Sequence, residues 1–377
     1  MDLGEMVQAL KNQQAVKNDV IVSADKLAVV REGRELPYLV VRNAEPQIDE
    51  TGVTQVDGYY NLSDRFIATV ATRLGVPGSF LKKTYLERGD VFTRIVNSLL
   101  HGSSDGAYNQ FGKNSTVRLF SSTEGEFGLA RCILSDSYKI MDNLDVVTSV
   151  LRGITDAGLD ASQIHVGRGD ISETRMRLDI DAPGIRAAAE ALLDGYRDPR
   201  TGNTNNKIVH AGLRIQNSET GSGALSLTPF ALVEVCSNGM TVPKMGSRQV
   251  HLGRKMDEGL IDFKADTHAA NNHAVQLAVR DSVGTMLTPE FLDKVVSELT
   301  QVSDKKIDKP QQVIERISKK LQYTEDEQEG ILSHFLLGGQ ATSGGVGQAI
   351  TSYLQDVEDV DRAAHLSDSA FRAMELV

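Results

Sequence analysis

The sequence predicts an α+β fold: an antiparallel sheet with long β-hairpins packed by helices, and a helical C-terminal part. Three observations predict it. Residues 210–216 and 224–235 flank the turn-former cluster NSETGSG at 217–223, and the second arm alternates Ala224, Ser226 and Thr228 with Leu225 and Leu227. Period-two patterning around a Gly-rich turn reads as a long hairpin. In 174–180, Met176, Leu178 and Ile180 alternate with Arg175, Arg177 and Asp179, so one strand face is apolar and the other charged. From residue 265 onward the apolar positions recur at helical spacing.

In chain order, residues 3–13 read as a helix, and 19–23, 27–31 and 38–42 as strands. The polar stretch 45–58 reads as a loop. Ser63 or Asp64 caps a helix carrying Phe66, Ile67, Val70 and Leu74, which Gly75 stops. Two more helical segments run to residue 100. Residues 101–113 are rich in Gly, Ser and Asn and read as a boundary. Strands follow at 116–121 and 127–134, then a helix from Asn143, its expected N-cap, to Gly158. Strands at 163–167 and 174–180 flank an expected turn GRGDIS, and Pro183 is expected to open a helix over 185–196. After the long hairpin, helices are expected at 265–286, 289–301, 310–321 and 324–337, the last with Thr324 and Glu327 at capping-box spacing. The run GGQATSGGVG (338–347) reads as a loop, with helices at 348–355 and 367–374 after it. The organisation expected is 1–112 as an N-terminal α/β and helical region, 113–287 as the central core with both hairpins, and 288–377 as a helical region.

Composition is that of a globular protein, 40% hydrophobic and 24% charged. No run of about 18 apolar residues exists, so no membrane span is expected. The first residues, acidic and amphipathic, do not read as a signal peptide. Cys132 and Cys236 sit in apolar runs and read as buried free thiols, which suits a cytoplasmic location.

The net charge is −11, yet residues 200–256 hold seven Lys and Arg against two Glu, about +5. Arg168, Arg175 and Arg177 add to it from the preceding strands. A local basic groove following a phosphate backbone is one reading, and a solvated sheet face the other. The candidate phosphate contacts are Arg168, Arg175, Arg177, Lys207, Arg214, Arg248, Arg254 and Lys255. Tyr196 and Phe230 are the only nearby aromatic residues for base stacking.

Nucleotide and metal chemistry find little footing. The glycines at 338–347 lack the lysine of a phosphate loop, so no nucleotide cofactor is expected. His251, His268 and His273 have no Cys or carboxylate at ligand spacing, so no metal is expected. Asp257, Glu258, Asp262 and Asp266 read as a solvated acidic face before a two-metal site.

The segments FGLARCILSDSYKIMDNLDVV (127–147), GLRIQNSETGSGALSLTPFALVEVCSNGM (212–240) and TSGGVGQAITSYLQD (342–356), with Ser367 and Phe371 after them, resemble the phage/plasmid-like proteins grouped as domain of unknown function 932. The resemblance covers roughly residues 60–377 and implies a mobile-element protein acting in the host cytoplasm. It assigns no activity. The order of helix, hairpin, long hairpin, basic segment and helix is also similar to the β-β-β-α core of phage single-strand annealing recombinases of the RecT, Redβ and Erf types. That likeness implies a homo-oligomer holding single-stranded DNA, without catalysis. This chain departs from it in having two hairpins separated by a helix, and few aromatics. The alternatives are an assembly protein of a mobile element, and a metal-dependent nuclease or hydrolase using Asp257, Asp262 and His268.

Overall fold

The computed structural model describes residues 1–44, 47–49, 52–54, 56–101, 114–122, 127–135, 141–159, 162–172, 174–203, 207–233, 239–241, 248–249 and 265–377. It is an α+β protein with one mixed and one antiparallel sheet, and a helical C-terminal part.

Helix α1 (Leu3–Val16) opens on a capping box: Asp2 Oδ1 accepts from Glu5 N at 2.8 Å and Glu5 Oε2 from Asp2 N at 2.9 Å. The first sheet is built from β1 (Lys17–Ser23), β2 (Leu27–Val30) and β3 (Tyr38–Val41), and, past the small hairpin β4 (Gln47–Asp49) and β5 (Gly52–Thr54), from β6 (Gly58–Leu62), β7 (Asn114–Phe120) and β8 (Phe127–Ser135). Their spatial order is β1-β7-β8-β6-β3-β2, with only the β6–β8 pair parallel. Between β6 and β7 run α2 (Asp64–Leu74), α3 (Gly78–Glu87) and α4 (Gly89–His101). Ser63 Oγ accepts from Phe66 N at 2.9 Å to start α2, and Gly75, at φ +65°, ends it. Phe66, Ile67 and Val70 of α2, with Leu81, Phe92 and Val96, pack on Val20, Val22, Leu39, Val117 and Leu119. Edge strand β2 is closed by Asn97 of α4, whose amide accepts from Val29 N at 2.8 Å and donates to Val29 O at 2.7 Å.

The second sheet is a meander. After α5 (Asn143–Asp156) come β9 (His165–Ile171), β10 (Met176–Ala188), the short α6 (Glu190–Leu193), β11 (Ile208–Asn217), β12 (Ser226–Val233), β13 (Gly239–Thr241) and β14 (Arg248–Gln249), then α7 (Ala265–Met286). Strands β9 to β13 lie side by side in chain order, all antiparallel, and β14 pairs with the start of β12. Met176, Leu178, Ile180, Leu213, Ile215 and Leu227 form one core with Val146, Val150 and Ile154 of α5, Val275, Val279 and Val283 of α7, and Leu292, Val295 and Leu299 of α8 (Pro289–Ser303). At Gly153 the backbones of α5 and α7 nearly touch: a Cβ there would lie 2.8 Å from Gln276 O. The chain closes with α9 (Pro310–Leu321), α10 (Glu325–Gly338), α11 (Ser343–Tyr353) and α12 (Val360–Glu375), around a third core of Ile314, Ile317, Ile331, Phe335, Val346, Ile350, Leu366 and Ala370.

Several elements differ from the sequence reading. Strand β9 runs through the expected turn GRGDIS and ends at Ile171, and the antiparallel β10 starts at Met176. Pro183 opens no helix. It lies where the β10–β11 register shifts between Ala182 and Arg186, a place where its missing N–H leaves no ladder bond unmade. Asp142, not Asn143, is the cap residue of α5. Residues 343–347 are not loop but the first turn of α11, and their glycines pack against neighbours: a Cβ on Gly345 would meet Gln340 O at 1.9 Å. The expected boundary at 112/113 falls inside the first sheet, because β7 and β8 complete it, and α8 belongs to the second core. Cys132 is buried with a free thiol, and burial pushes it up to about 12; Cys236 lies outside the described residues.

Candidate nucleic-acid interface

The polar face of the second sheet is not solvated. In the β10–β11 register Asp179 stands opposite Arg214, with Arg177 two residues along the same face. Asp179 accepts from both guanidiniums: Arg214 Nε to Oδ1 at 2.8 Å, Arg214 Nη2 to Oδ2 at 3.0 Å, and Arg177 Nη2 to Oδ2 at 2.5 Å. Arg214 is wholly buried, lies 5.5 Å from the Phe230 ring centroid and donates to Ser367 Oγ of α12. Burial alone would raise the Asp179 carboxyl, but the two guanidiniums hold it well below the usual carboxylate range. Gly212 makes room for Phe230, whose ring would lie 2.3 Å from a Cβ there.

Arg177 and Arg214 therefore serve the fold, and no phosphate reaches them while α12 is in place. The alternation that revealed the strand is silent about what covers its charged face.

The more exposed candidates are matched by the chain's own acids. Arg168 pairs with Asp170, and Lys207 with Asp194 at 2.9 Å. Arg175 lies 3.4 Å from Asp361 of α12. Tyr196 and Phe230, the expected stacking residues, are each 4% exposed. Arg248 lies in β14, which pairs with Ser226 and Leu227 of β12, but its side chain is outside the description. Arg254 and Lys255 lie outside the described residues, as do Asp257 and Asp262 and the side chain of His268.

The first half of the long hairpin's turn is also buried. Asn217, Ser218, Glu219 and Thr220 are all under 5% exposed. Glu219 enters a network with Lys17 and Asp19 of β1, Arg118 of β7, Arg131 of β8 and Asp142. Arg131 Nη1 lies 2.8 Å and Lys17 Nζ 3.1 Å from its carboxylate, while Arg118 Nη2 holds Asp19 at 2.5 Å and Asp142 at 2.7 Å. Three cations meet three carboxylates where the two sheets join. Burial would raise Glu219 and Asp142, and the cations hold both below their ordinary values.

The open side of the first sheet carries an aromatic surface that the sequence reading missed. Tyr38 on β3, Tyr59 on β6 and Phe127 on β8 form one cluster: Tyr38 to Phe127 5.0 Å, Tyr59 to Phe127 5.5 Å and Tyr38 to Tyr59 5.9 Å between centroids. The Arg34 guanidinium lies 4.1 Å from the Phe127 centroid, and its Nη1 donates to Asn61 Oδ1 at 2.9 Å. Tyr59 in a short alternating strand was the available signal, but its partners Tyr38 and Phe127 are 21 and 68 residues away along the chain.

Among the described residues one Ser-His-Asp arrangement occurs, and it is closed. His334 stands between Ser352 Oγ, 3.0 Å from Nδ1, and Asp356, 3.1 Å from Nε2. Ser352 is buried in α11 and offers a substrate no approach. Among the described residues no cluster of His, Cys, Asp and Glu fits a metal ion, and no helix is long and apolar enough to cross a membrane. Neither family models nor curated proteins nor solved structures match the chain.

Proposed function

We propose that this protein binds single-stranded nucleic acid without catalysis, as a phage- or plasmid-type DNA-metabolism protein in the host cytoplasm that anneals strands as a homo-oligomer. One observation carries the reading. Residues 244–255 hold Lys244, Arg248, Arg254 and Lys255 and no carboxylate, and β14 within this run is hydrogen-bonded to the edge of the second sheet at Ser226 and Leu227. Elsewhere on that sheet Arg168, Arg175, Arg177 and Arg214 are matched by acids, so this run is where the sequence concentrates its positive charge. A strand-tethered cationic segment beside a sheet suits backbone phosphates, whose binding is driven by counterion release. The meander β9–β13 between α5 and α7 supports the architectural likeness to annealing proteins, a likeness of fold class alone.

The test is a salt-dependent gel shift with a short single-stranded oligonucleotide. Wild type binds at low salt, and log affinity falls linearly with log salt. Replacing Lys244, Arg248, Arg254 and Lys255 together by Ala lowers that slope by roughly 3, at about 0.7 per phosphate contact. Absence of binding at low salt, or a slope untouched by the four changes, rejects the reading.

An assembly role without nucleic acid is the second reading. The adjacent Leu336 and Leu337 at the end of α10, 63% and 58% exposed, favour it.

A further inference from the structure

Three guanidiniums stack on aromatic rings among the described residues, and they differ in one respect. Arg131 lies over Phe120 and Arg214 beside Phe230, and both are buried against carboxylates. Arg34 lies over Phe127 on an exposed loop, and its partners there are a ring and the Asn61 amide, both neutral. Its charge is unmatched by any carboxylate among the described residues. Beside it, Tyr59 is 39% exposed, whereas the Tyr85–Phe92 pair of α3 and α4 is buried in the core. Tyr38, 7% exposed like Tyr85, backs the cluster, and Tyr59 is the ring of the three left open.

An open phenol ring beside a second ring tilted 39° from it, with a cation 4.1 Å from that second ring, combines a π-face with a phosphate partner. Such a pairing fits a nucleotide, because every base has a π-face and every linkage a negative charge. Asn61, held by Arg34, adds a polar amide beside the rings.

We propose that Tyr59, Phe127 and Tyr38, with Arg34 and Asn61, form a base-stacking site on the first sheet: a nucleobase of single-stranded nucleic acid stacks on Tyr59, and Arg34 takes its phosphate. The inference rests on the nucleic-acid reading above but uses a different surface from the 244–255 segment. The two divide the work: the segment supplies charge that is indifferent to bases, and the rings recognise that a base is present.

The chain contains no Trp, so the indole introduced by Tyr59→Trp is a sole reporter. Oligo(dT) quenches its fluorescence, and an abasic oligomer of the same length and charge does not. In gel shifts, Tyr59→Ala weakens oligo(dT) binding roughly tenfold, leaves abasic binding unchanged and leaves the salt slope at the wild-type value. Arg34→Ala weakens both and lowers the slope. If wild type binds oligo(dT) and abasic oligomer equally, and Tyr59→Ala changes neither, the stacking site is refuted while the charge-based reading stands. If wild type binds no oligonucleotide, both fall. If Tyr59→Ala instead changes the sedimentation of the free protein with DNA affinity intact, the surface belongs to self-association, and the proposal is wrong.

Discussion

Asp179, which is buried, and Asp368, whose residue reaches the surface, are two carboxyls beside the same arginines, with opposite balances. Arg177 and Arg214 overcome burial at Asp179 and depress it; at Asp368 the hydration lost to crowding neighbours outweighs the pull of Arg214, Arg177 and Arg175 and raises it. A depressed folded value contributes stability that is present above the unfolded value and lost as the pH falls below it. A raised one contributes stability present below the unfolded value and lost as the pH rises through the folded one. Asp179→Asn should therefore cost about 3–5 kcal/mol at pH 7, because it leaves Arg214 buried without its counter-charge. Asp368→Asn should leave stability within about 1 kcal/mol of wild type, since the residue is exposed and water screens its charge. Urea unfolding of both variants at pH 7 checks the pair, and equal losses would refute this assignment of signs.

At the scale of elements, the glycines of α11 illustrate what a sequence hides. Gly344 and Gly345 sit in a turn-rich run and read as loop, but they start a helix because Ser303, Gln340 and Phe335 press against them. Gly345→Ala should lower stability by about 1–3 kcal/mol, since backbone rather than a movable side chain blocks the Cβ. A thermal melt unchanged from wild type would contradict this. Strands and helices with regular spacing were legible: β1, β3, β11, β12, α2 and α7 to α10 fall close to where their periodicity puts them. What was not legible depends on distant partners. Asn217 to Gly223 has the composition of a solvent-facing turn, and only the arrival of Lys17, Arg118 and Arg131 buries Glu219. The charged face of β10 reads as solvated until α12 is laid on it. For the candidate site, charge counting located the 244–255 run, while the ring cluster, drawn from three separated strands, left no local pattern.

Across the whole molecule, two sheets with separate cores are joined by the six-charge network around Glu219. The backbone of the long hairpin's turn is held there too, Arg118 Nη1 donating to Glu219 O at 2.7 Å and Arg65 Nε of α2 to Thr220 O at 3.0 Å. Glu219→Gln should uncouple the sheets: calorimetry should resolve two unfolding transitions in place of one, the first at lower temperature. Because Glu219 and Asp142 are both held low, the wild-type junction should loosen in the same way as the pH falls below about 4. A single transition persisting in the variant would show that packing alone joins the two halves.

The seal over Arg214 also has a cost in time. Its partner Ser367 lies 153 residues further along the chain. At about 5–20 residues per second of synthesis, the second sheet waits on the order of ten seconds with its charged face bare before α12 exists. During that interval Arg177 and Arg214, paired to Asp179 through the β10–β11 register, lack the cover of α12 and its carboxylates Asp361 and Asp368, so that face of a nascent chain is more cationic than in the finished protein.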